Sequence, residues 1–177
     1  ISEVRTALIE AKGDKERAVK ILAAALGARG SKKSERTAKE GIVDCYIHSD
    51  HKIGVLIEMN CETDFVARNV EFQAFVHDIA MHIAAMNPLY ISREDIPEDV
   101  RRAERRFVEE EVSTMQKPKE IMDEIIAGKL ESHFKAITLI DQPFVKDPDK
   151  TINEVVQEAA GKFGENIKVN RFIRFAL

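Results

Sequence analysis

The sequence predicts an α+β fold, in which a small antiparallel sheet packs with helices and follows a small N-terminal helical domain. The first observation is a pair of β-rich runs, Gly41–His48 and Ile53–Met59, joined by a short polar turn. The second is helical spacing of apolar residues through most of Glu71–Phe163. The third is an alternating segment, Ile167–Phe175, that suits a closing strand. Strands followed by helices and a last strand are typical of an α+β domain.

The composition limits the class of protein. The chain has 177 residues, of which 44% are hydrophobic and 33% charged, enough for one globular domain with a small appendage. A formal net charge of −4 argues against binding nucleic acid over a broad surface, which usually needs a basic face. No apolar stretch reaches the ~18 residues of a membrane span and no signal peptide is visible. We therefore expect a cytoplasmic protein without membrane contact, with Cys45 and Cys61 as buried, reduced thiols.

The first 27 residues predict two short helices. Apolar residues at helical spacing mark Ser2–Ala11, and Asp14 is placed to cap a second helix, Lys15–Leu26, which Gly27 ends. Two such helices are too few to bury a core of their own. Either they dock on the rest of the chain, or a further helix lies upstream of Ile1. Because Ile1 is not an initiator methionine, we expect residues 1–27 to be an incomplete N-terminal helical domain.

A basic segment follows, residues 28–40, which contains the run RGSKKSERTAKE. It holds no apolar residue larger than alanine, and its five basic residues outnumber two acidic ones. The segment is interpreted as a solvated linker or an exposed helix, or as a contact for an acidic partner. It is followed by a core domain at residues 41–177.

The stretch NCETDFVARN, residues 60–69, lies between the second strand and a helix predicted at Glu71–Met86. Its aromatic residue, Phe65, either fills the local core or is presented to a partner. The helix that follows has one apolar stripe for the core and a second stripe of mixed polar and apolar residues. That mixed stripe either contacts a partner or packs inside the domain. Its members are Asp78, Met81, His82 and Ala85.

Two further helices predict a helical hairpin at about residues 98–136. The first, Glu98–Thr114, is dense in charge, and the second, Lys119–Ala136, is strongly amphipathic. We expect the first helix to pack through Val100, Ala103 and Phe107.

The last part of the chain predicts a loop, a helix and a strand. Asp141–Lys150 is interpreted as a proline-punctuated loop, and Thr151 with Glu154 forms a capping box for a helix through Phe163. We expect the closing strand to place four apolar residues on one side: Ile167, Val169, Ile173 and Phe175.

No constellation of catalytic residues emerges from the sequence. The five histidines are scattered, and no motif for a nucleophile, a metal or a nucleotide phosphate is present. We therefore expect no catalytic residues, no metal site and no cofactor. A protein that acts by binding is favoured over an enzyme.

Seven stretches of this chain resemble the bacterial translation elongation factor Ts family, in the same order. The longest and most specific of them contains the TDFV turn. The resemblance covers almost the whole chain, and it is closest to short members with a single core repeat. The stretches are ALIEAKGDKERAVKIL, GIVDCYIH, IGVLIEMNCETDFVARNVEFQAF, IAMHIAAMNP, KPKEIMDEIIAGKLE, DQPFVKDPDKT and GENIKVNRFIRF.

The resemblance implies a guanine-nucleotide exchange factor for elongation factor Tu. It implies that Phe65 enters the partner beside the magnesium site of the nucleotide, that Asp64 anchors the turn, and that His82 contacts the partner. It also implies an N-terminal domain of the ubiquitin-associated type. Thr63, Val66 and Met81 are counted with these residues as partner-binding, and so is Arg5, which stands where a lysine is common in the family.

Two further expectations concern assembly and the alternative function. A short member with one core repeat has half of the paired arrangement of long members, and a small sheet leaves an edge open, so we expect a homodimer that associates through the sheet. Because Ile173 stands where some short members have a cysteine, its association should be non-covalent. The alternative to the dimer is a monomer whose sheet edge is covered by the helix Thr151–Phe163. The alternative function is that of an RNA-binding or ribosome-associated protein that uses the basic residues at 29–39; the acidic net charge counts against direct nucleic-acid binding.

Overall fold

The computed structural model of the chain describes residues 2–115 and 117–177. Helices and strands alternate in the order expected for an α+β domain, which confirms the predicted fold class. In chain order the elements are α1 (Ser2–Glu10), α2 (Lys15–Ser31), β1 (Glu40–Ile47), β2 (Ile53–Cys61), α3 (Asp64–Ala67), α4 (Val70–Met86), α5 (Glu98–Ser113), α6 (Lys119–Ile137), β3 (Pro143–Phe144), β4 (Asp147–Thr151), α7 (Ile152–Phe163) and β5 (Lys168–Ala176).

The main sheet is antiparallel with the strand order β1-β2-β5. Every second residue of β2 is buried on its inner face, because strand side chains alternate between faces. Against this face packs α4, whose buried residues repeat at helical spacing. Phe72 of α4 also meets Phe163 at the end of α7, with ring centroids 5.8 Å apart. The core therefore lies between the sheet, α4 and α7.

The closing strand contains a β-bulge that the sequence pattern did not show. Glu58 pairs with Arg171 and Met59 with Val169, so Asn170 is an extra residue on β5. One extra residue reverses which side chains face inward. Ile167 and Val169 therefore face the core, but Ile173 is 48% and Phe175 67% exposed. The prediction that all four share one side is wrong.

The outer face of the sheet is consequently largely apolar and uncovered within the described chain, apart from an ion pair between Glu58 and Arg171. We call it the open face. In the register of the sheet, Leu56 of β2 lies between Cys45 of β1 and Ile173 of β5. Cys45 is exposed, so the prediction that it is buried is wrong. The exposed large apolar residues of the open face are Val43, Ile47, Leu56, Ile173 and Phe175.

The second N-terminal helix is longer than predicted, because Gly27 does not end it. Helix α2 continues to Ser31 and packs along α7. The two backbones touch at two glycines: a Cβ on Gly161 would lie 2.2 Å from the carbonyl oxygen of Leu26, and one on Gly30 would lie 2.0 Å from that of Gln157. Only glycine permits so close an approach. The first alternative for these helices therefore holds for α2, which docks on the rest of the chain.

Part of the basic segment also lies against the domain. The buried side-chain amide of Asn166 donates hydrogen bonds to the carbonyl oxygens of Ser34, at 3.1 Å, and Arg36, at 2.5 Å. Ala38 is buried as well. The segment is therefore not fully solvated. The division into residues 1–27, 28–40 and 41–177 stays a prediction.

The helical hairpin is present, but α5 packs through a different face from the one expected. Val108 and Val112 are buried against Leu130 of α6. Phe107 is 64% exposed, so the prediction that Val100, Ala103 and Phe107 form the packing stripe is wrong. Helix α5 is highly charged and has few apolar residues, so its sequence does not define one buried face. The buried face is the one that contacts the apolar side of α6.

The segment predicted as a loop, Asp141–Lys150, instead contains the short hairpin β3–β4. The capping box that follows is confirmed: Glu154 N donates to Thr151 Oγ1 at 3.2 Å, and Thr151 N donates to Glu154 Oε2 at 2.7 Å. Among the described residues, no helix combines the length and the apolar character that a membrane crossing requires.

Candidate partner-binding site

The turn between β2 and α4 is a single helical turn, α3, with a cap before it and another after it. We call Thr63–Val66 the TDFV turn. Thr63 has an extended backbone (φ −130°, ψ 156°), and its hydroxyl accepts a hydrogen bond from Val66 N at 3.5 Å. Asn69 caps α4 by accepting from Glu71 N at 2.8 Å. Such caps satisfy amide groups that the first turn of a helix leaves without partners.

The TDFV turn presents Phe65 to the outside. Phe65 is 83% exposed, whereas the neighbouring Ala67 is buried and Val66 is partly buried against the core. Val70, the first residue of α4, is 77% exposed. Of the two interpretations of the aromatic, the one in which it fills the local core is wrong.

Asp64 lies on the first turn of α3 and forms an ion pair with Arg68, with 3.3 Å between Oδ2 and Nη2. The two residues are one helical turn apart; the Arg68 side chain is largely exposed and the Asp64 side chain is 49% exposed. Such pairs add little stability. Part of the Asp64 carboxylate therefore lies at the surface next to Phe65.

The backbone ahead of Phe65 is held by Glu165, a residue that the sequence interpretation missed. One oxygen of its carboxylate accepts from Glu62 N at 2.9 Å and from Thr63 N at 3.0 Å. The other accepts from the Thr63 hydroxyl at 2.5 Å. The strand register is the signal that would have found it: Asn60 pairs with Lys168, so an antiparallel continuation places Glu165 opposite Thr63.

Further contacts join the same two segments. Asn166 N donates to Glu62 Oε1 at 2.6 Å, and the thiol of Cys61 donates to the carbonyl oxygen of Thr63 at 3.1 Å. Burial, together with the negative charge of Glu165, raises the pKa of the Cys61 thiol to about 11. The thiol therefore stays protonated and remains a hydrogen-bond donor.

His82 and Met81 lie on α4, and His82 contacts the β3–β4 hairpin. His82 is fully buried. Its Nε2 lies 2.9 Å from Oε1 of Gln142, and its Nδ1 accepts from Val145 N at 3.3 Å. Burial lowers the pKa of the imidazole, so the ring is neutral and donates through Nε2. Met81 is partly buried.

Arg5 lies apart from these residues on α1, which packs on α2 through a small cluster of alanines. Its side chain is exposed beside a shallow apolar groove that Val4, Leu8 and Ile9 also line. The structure thus gathers the four residues of the TDFV turn in one place. It does not join Arg5 or His82 to that turn.

Three of the basic residues at 29–39 are engaged within the chain. Arg29 pairs with Glu3 at 2.5 Å, and Arg36 lies 3.7 Å from Glu62. The ammonium group of Lys33 donates to the carbonyl oxygen of Gly164. Across residues 2–115 and 117–177, no His, Cys, Asp and Glu side chains come together in a group that could hold a metal ion.

Comparison with known proteins adds the family. Residues 16–177 match the family model described as Elongation factor TS. The curated protein "Elongation factor Ts" of Acetivibrio thermocellus is 47% identical over 98% of this chain and 80% of its own length. Those of Pseudothermotoga lettingae and Thermodesulfovibrio yellowstonii are 47% and 49% identical, each over 98% of this chain, and over 88% and 86% of their own lengths. The chain therefore belongs to the elongation factor Ts family.

Proposed function

We propose that this chain is a guanine-nucleotide exchange factor for elongation factor Tu, and that it acts in translation elongation in the cytoplasm. Its TDFV turn inserts Phe65 into the partner beside the magnesium site of the nucleotide. The observation that carries this proposal is the 83% exposure of Phe65 on a turn whose amides are held by caps and by Glu165. An exposed aromatic on a well-ordered turn suits a protein–protein contact.

The protein works by binding and is not an enzyme in the chemical sense. An exchange factor must bind the nucleotide-free partner more tightly than the GDP-bound partner. By linkage, it then weakens GDP binding by the same factor. An apolar wedge produces this coupling if its pocket is open only when the magnesium site is disturbed.

Asp64, Thr63 and Val66 belong to the same contact in this proposal. Asp64 supplies a surface carboxylate next to the wedge, and Thr63 and Val66 shape the turn. Arg5 and Met81 are proposed as contacts at other points of the partner. Because His82 is fully buried, we propose that it shapes the partner-facing surface around α4 through Gln142 and Val145.

We further propose that the protein is a non-covalent homodimer, and that the open face is the interface. Large apolar residues from all three strands make up this face, and a second copy presents an identical apolar face to it. Closed two-fold pairing is the commonest assembly of soluble proteins. A monomer with a solvated open face is the alternative.

Release of labelled GDP from elongation factor Tu tests the function. We expect this chain to accelerate release in proportion to its concentration, and to bind the nucleotide-free partner more tightly than the GDP-bound one. Equal affinities for the two forms would leave no coupling free energy to drive exchange. The RNA-binding alternative predicts RNA affinity that follows residues 29–39 and falls steeply with salt.

A further inference from the structure

We propose that Glu165 is a positioning residue of the exchange site. Its carboxylate holds the backbone of Glu62 and Thr63 in the conformation from which the TDFV turn presents Phe65. We call these three residues the carboxylate clamp. The inference rests on the proposed function for its role in exchange, while the clamp itself can be tested in the free protein.

The position of Glu165 explains why a carboxylate is needed there. The pairing of β2 with β5 ends at Asn60 and Lys168, so the next amides of the β2 side have no strand partner. One carboxylate oxygen accepts from both of these amides, at 2.9 and 3.0 Å. The side chain thereby replaces the backbone acceptors that a longer strand would have supplied. Hydrogen bonds to an ionised acceptor are stronger than neutral ones.

The hydroxyl of Thr63 carries the effect into α3. It donates to Glu165 at 2.5 Å and accepts from Val66 N at 3.5 Å. A hydroxyl fixed in this way has its hydrogen directed at Glu165 and a lone pair directed at α3. Glu165 therefore orients the cap of the helical turn on which Phe65 lies, although it does not touch Phe65 itself.

The local structure brings Glu165 to this place with few degrees of freedom. Helix α7 ends at Phe163, and Gly164 follows in the left-handed region with φ 79°. Asn166 is buried, and its backbone amide donates to Glu62 Oε1 at 2.6 Å. Two hydrogen bonds in opposite directions thus join the end of β2 to the segment after α7. Glu62 N donates to the Glu165 carboxylate, and Asn166 N donates to the Glu62 carboxylate.

The consequence for exchange is preorganisation. A turn that is ordered before the encounter does not need to be ordered when the partner binds, so less binding free energy is lost. Without the clamp, the amides of Glu62 and Thr63 would be left to solvent and the cap would be free to rotate. Phe65 would then sample several directions, and each encounter would succeed less often.

The experiment compares Glu165→Ala and Glu165→Gln with Glu154→Ala, a matched control. Glu154 is a carboxylate at the other end of α7, where it closes a capping box with Thr151, so its loss weakens the same helix without touching the TDFV turn. We expect Glu165→Ala to slow GDP release by about tenfold, because it removes the charged acceptor of three hydrogen bonds and such bonds are the stronger ones. Glu165→Gln, which keeps one oxygen acceptor, should fall between it and the unchanged protein, and Glu154→Ala should release GDP normally.

Two further readouts separate positioning from general stability. In the free protein, amide hydrogen exchange at Glu62 and Thr63 should be faster in Glu165→Ala, and unchanged in Glu154→Ala. In a Phe65→Ala background, Glu165→Ala should have no additional effect on GDP release, because the clamp acts through Phe65.

Unchanged protection of the two amides in Glu165→Ala would overturn the clamp. An equal loss of GDP release in Glu154→Ala, or an undiminished effect of Glu165→Ala when Phe65 is absent, would overturn the positioning role. If the unchanged protein fails to release GDP, the proposed function is wrong, and the amide measurement still decides the clamp.

Discussion

Replacing Phe65 with alanine is the most direct test of the proposed wedge, because we expect stability to change little and exchange to fall strongly. Complete burial of a phenylalanine side chain contributes ~1.5–3 kcal/mol. Phe65 is 83% exposed, so about one sixth of that, roughly 0.3–0.5 kcal/mol, is lost on truncation. Alanine also favours the helical turn by about 0.5 kcal/mol. The free energy of unfolding should therefore change by less than about 0.5 kcal/mol, which corresponds to about 2 °C in Tm.

The effect on exchange should be much larger. Truncation of a central aromatic in an interface commonly removes ~2 kcal/mol or more, roughly 30-fold in binding. We expect GDP release from elongation factor Tu to slow by at least this factor. Labelled GDP release and thermal unfolding, measured on the same preparation, give the two numbers.

Phe107→Ala provides the matched control. Phe107 is also an exposed aromatic, 64% exposed on α5, but it lies on the helical hairpin and outside the TDFV turn. This variant should keep both its Tm and its exchange activity. The reasoning would be refuted if folded Phe65→Ala released GDP as fast as the unchanged protein. It would also be refuted if Phe65→Ala lost ~3–5 kcal/mol of stability, as a core phenylalanine does.

Three other predictions follow from the structure. The proposed dimer should dissociate on dilution, and Phe175→Asp should remain monomeric at concentrations where the unchanged chain is paired; identical sedimentation of the two would remove the open face from the interface. Stability against urea should decrease as the pH falls below about 6.5, because burial lowers the pKa of His82 and the unfolded chain then binds a proton that the folded chain excludes. His82→Asn should flatten this slope, and a slope that persists would belong to other groups. In dilute protein, iodoacetamide should modify the exposed Cys45 quickly and Cys61 slowly, since Cys61 is buried with a pKa of about 11; equal rates in peptide mapping would contradict its burial.

Sequence periodicity predicted the elements well, because most of them follow from local rules. The capping box at Thr151 and the hairpin of β1 and β2 depend on residues that are near neighbours in the chain. The TDFV turn was also found from its place between a strand and a helix. For these parts, local propensity and tertiary structure agree.

The errors arose where contacts distant in sequence decide the outcome. The sequence predicts a helix end at Gly27, although α2 continues past it and Gly30 is needed for the contact with α7. The bulge at Asn170 leaves no clear mark in the alternation of apolar residues, yet it turns Ile173 and Phe175 outward. Which face of α5 is buried depends on the partner helix α6. In each case the deciding group lies on another element.

The same limit applies to the candidate site. Glu165 lies 102 residues from Thr63 in the chain, and nothing near Phe65 in the sequence points to it. The sequence places His82 in a stripe that could face a partner or the domain interior. The β3–β4 hairpin contacts Asp78 and His82 of that stripe, whereas Ala85 is exposed. The sequence predicts a loop where this hairpin lies.

The carboxylate clamp also has a consequence for synthesis of the protein. A ribosome makes the chain from its N-terminus, so Phe65 is translated about a hundred residues before Glu165. Until Glu165 and β5 have emerged, Glu62 and Thr63 lack their acceptor, and β2 lacks one of its two neighbouring strands. Because contacts between segments distant in sequence form slowly, a nascent chain contains Phe65 before the residues that hold its turn. If Phe65 acts in exchange as proposed, chains whose C-terminal strand has not yet been made should be poor exchange factors.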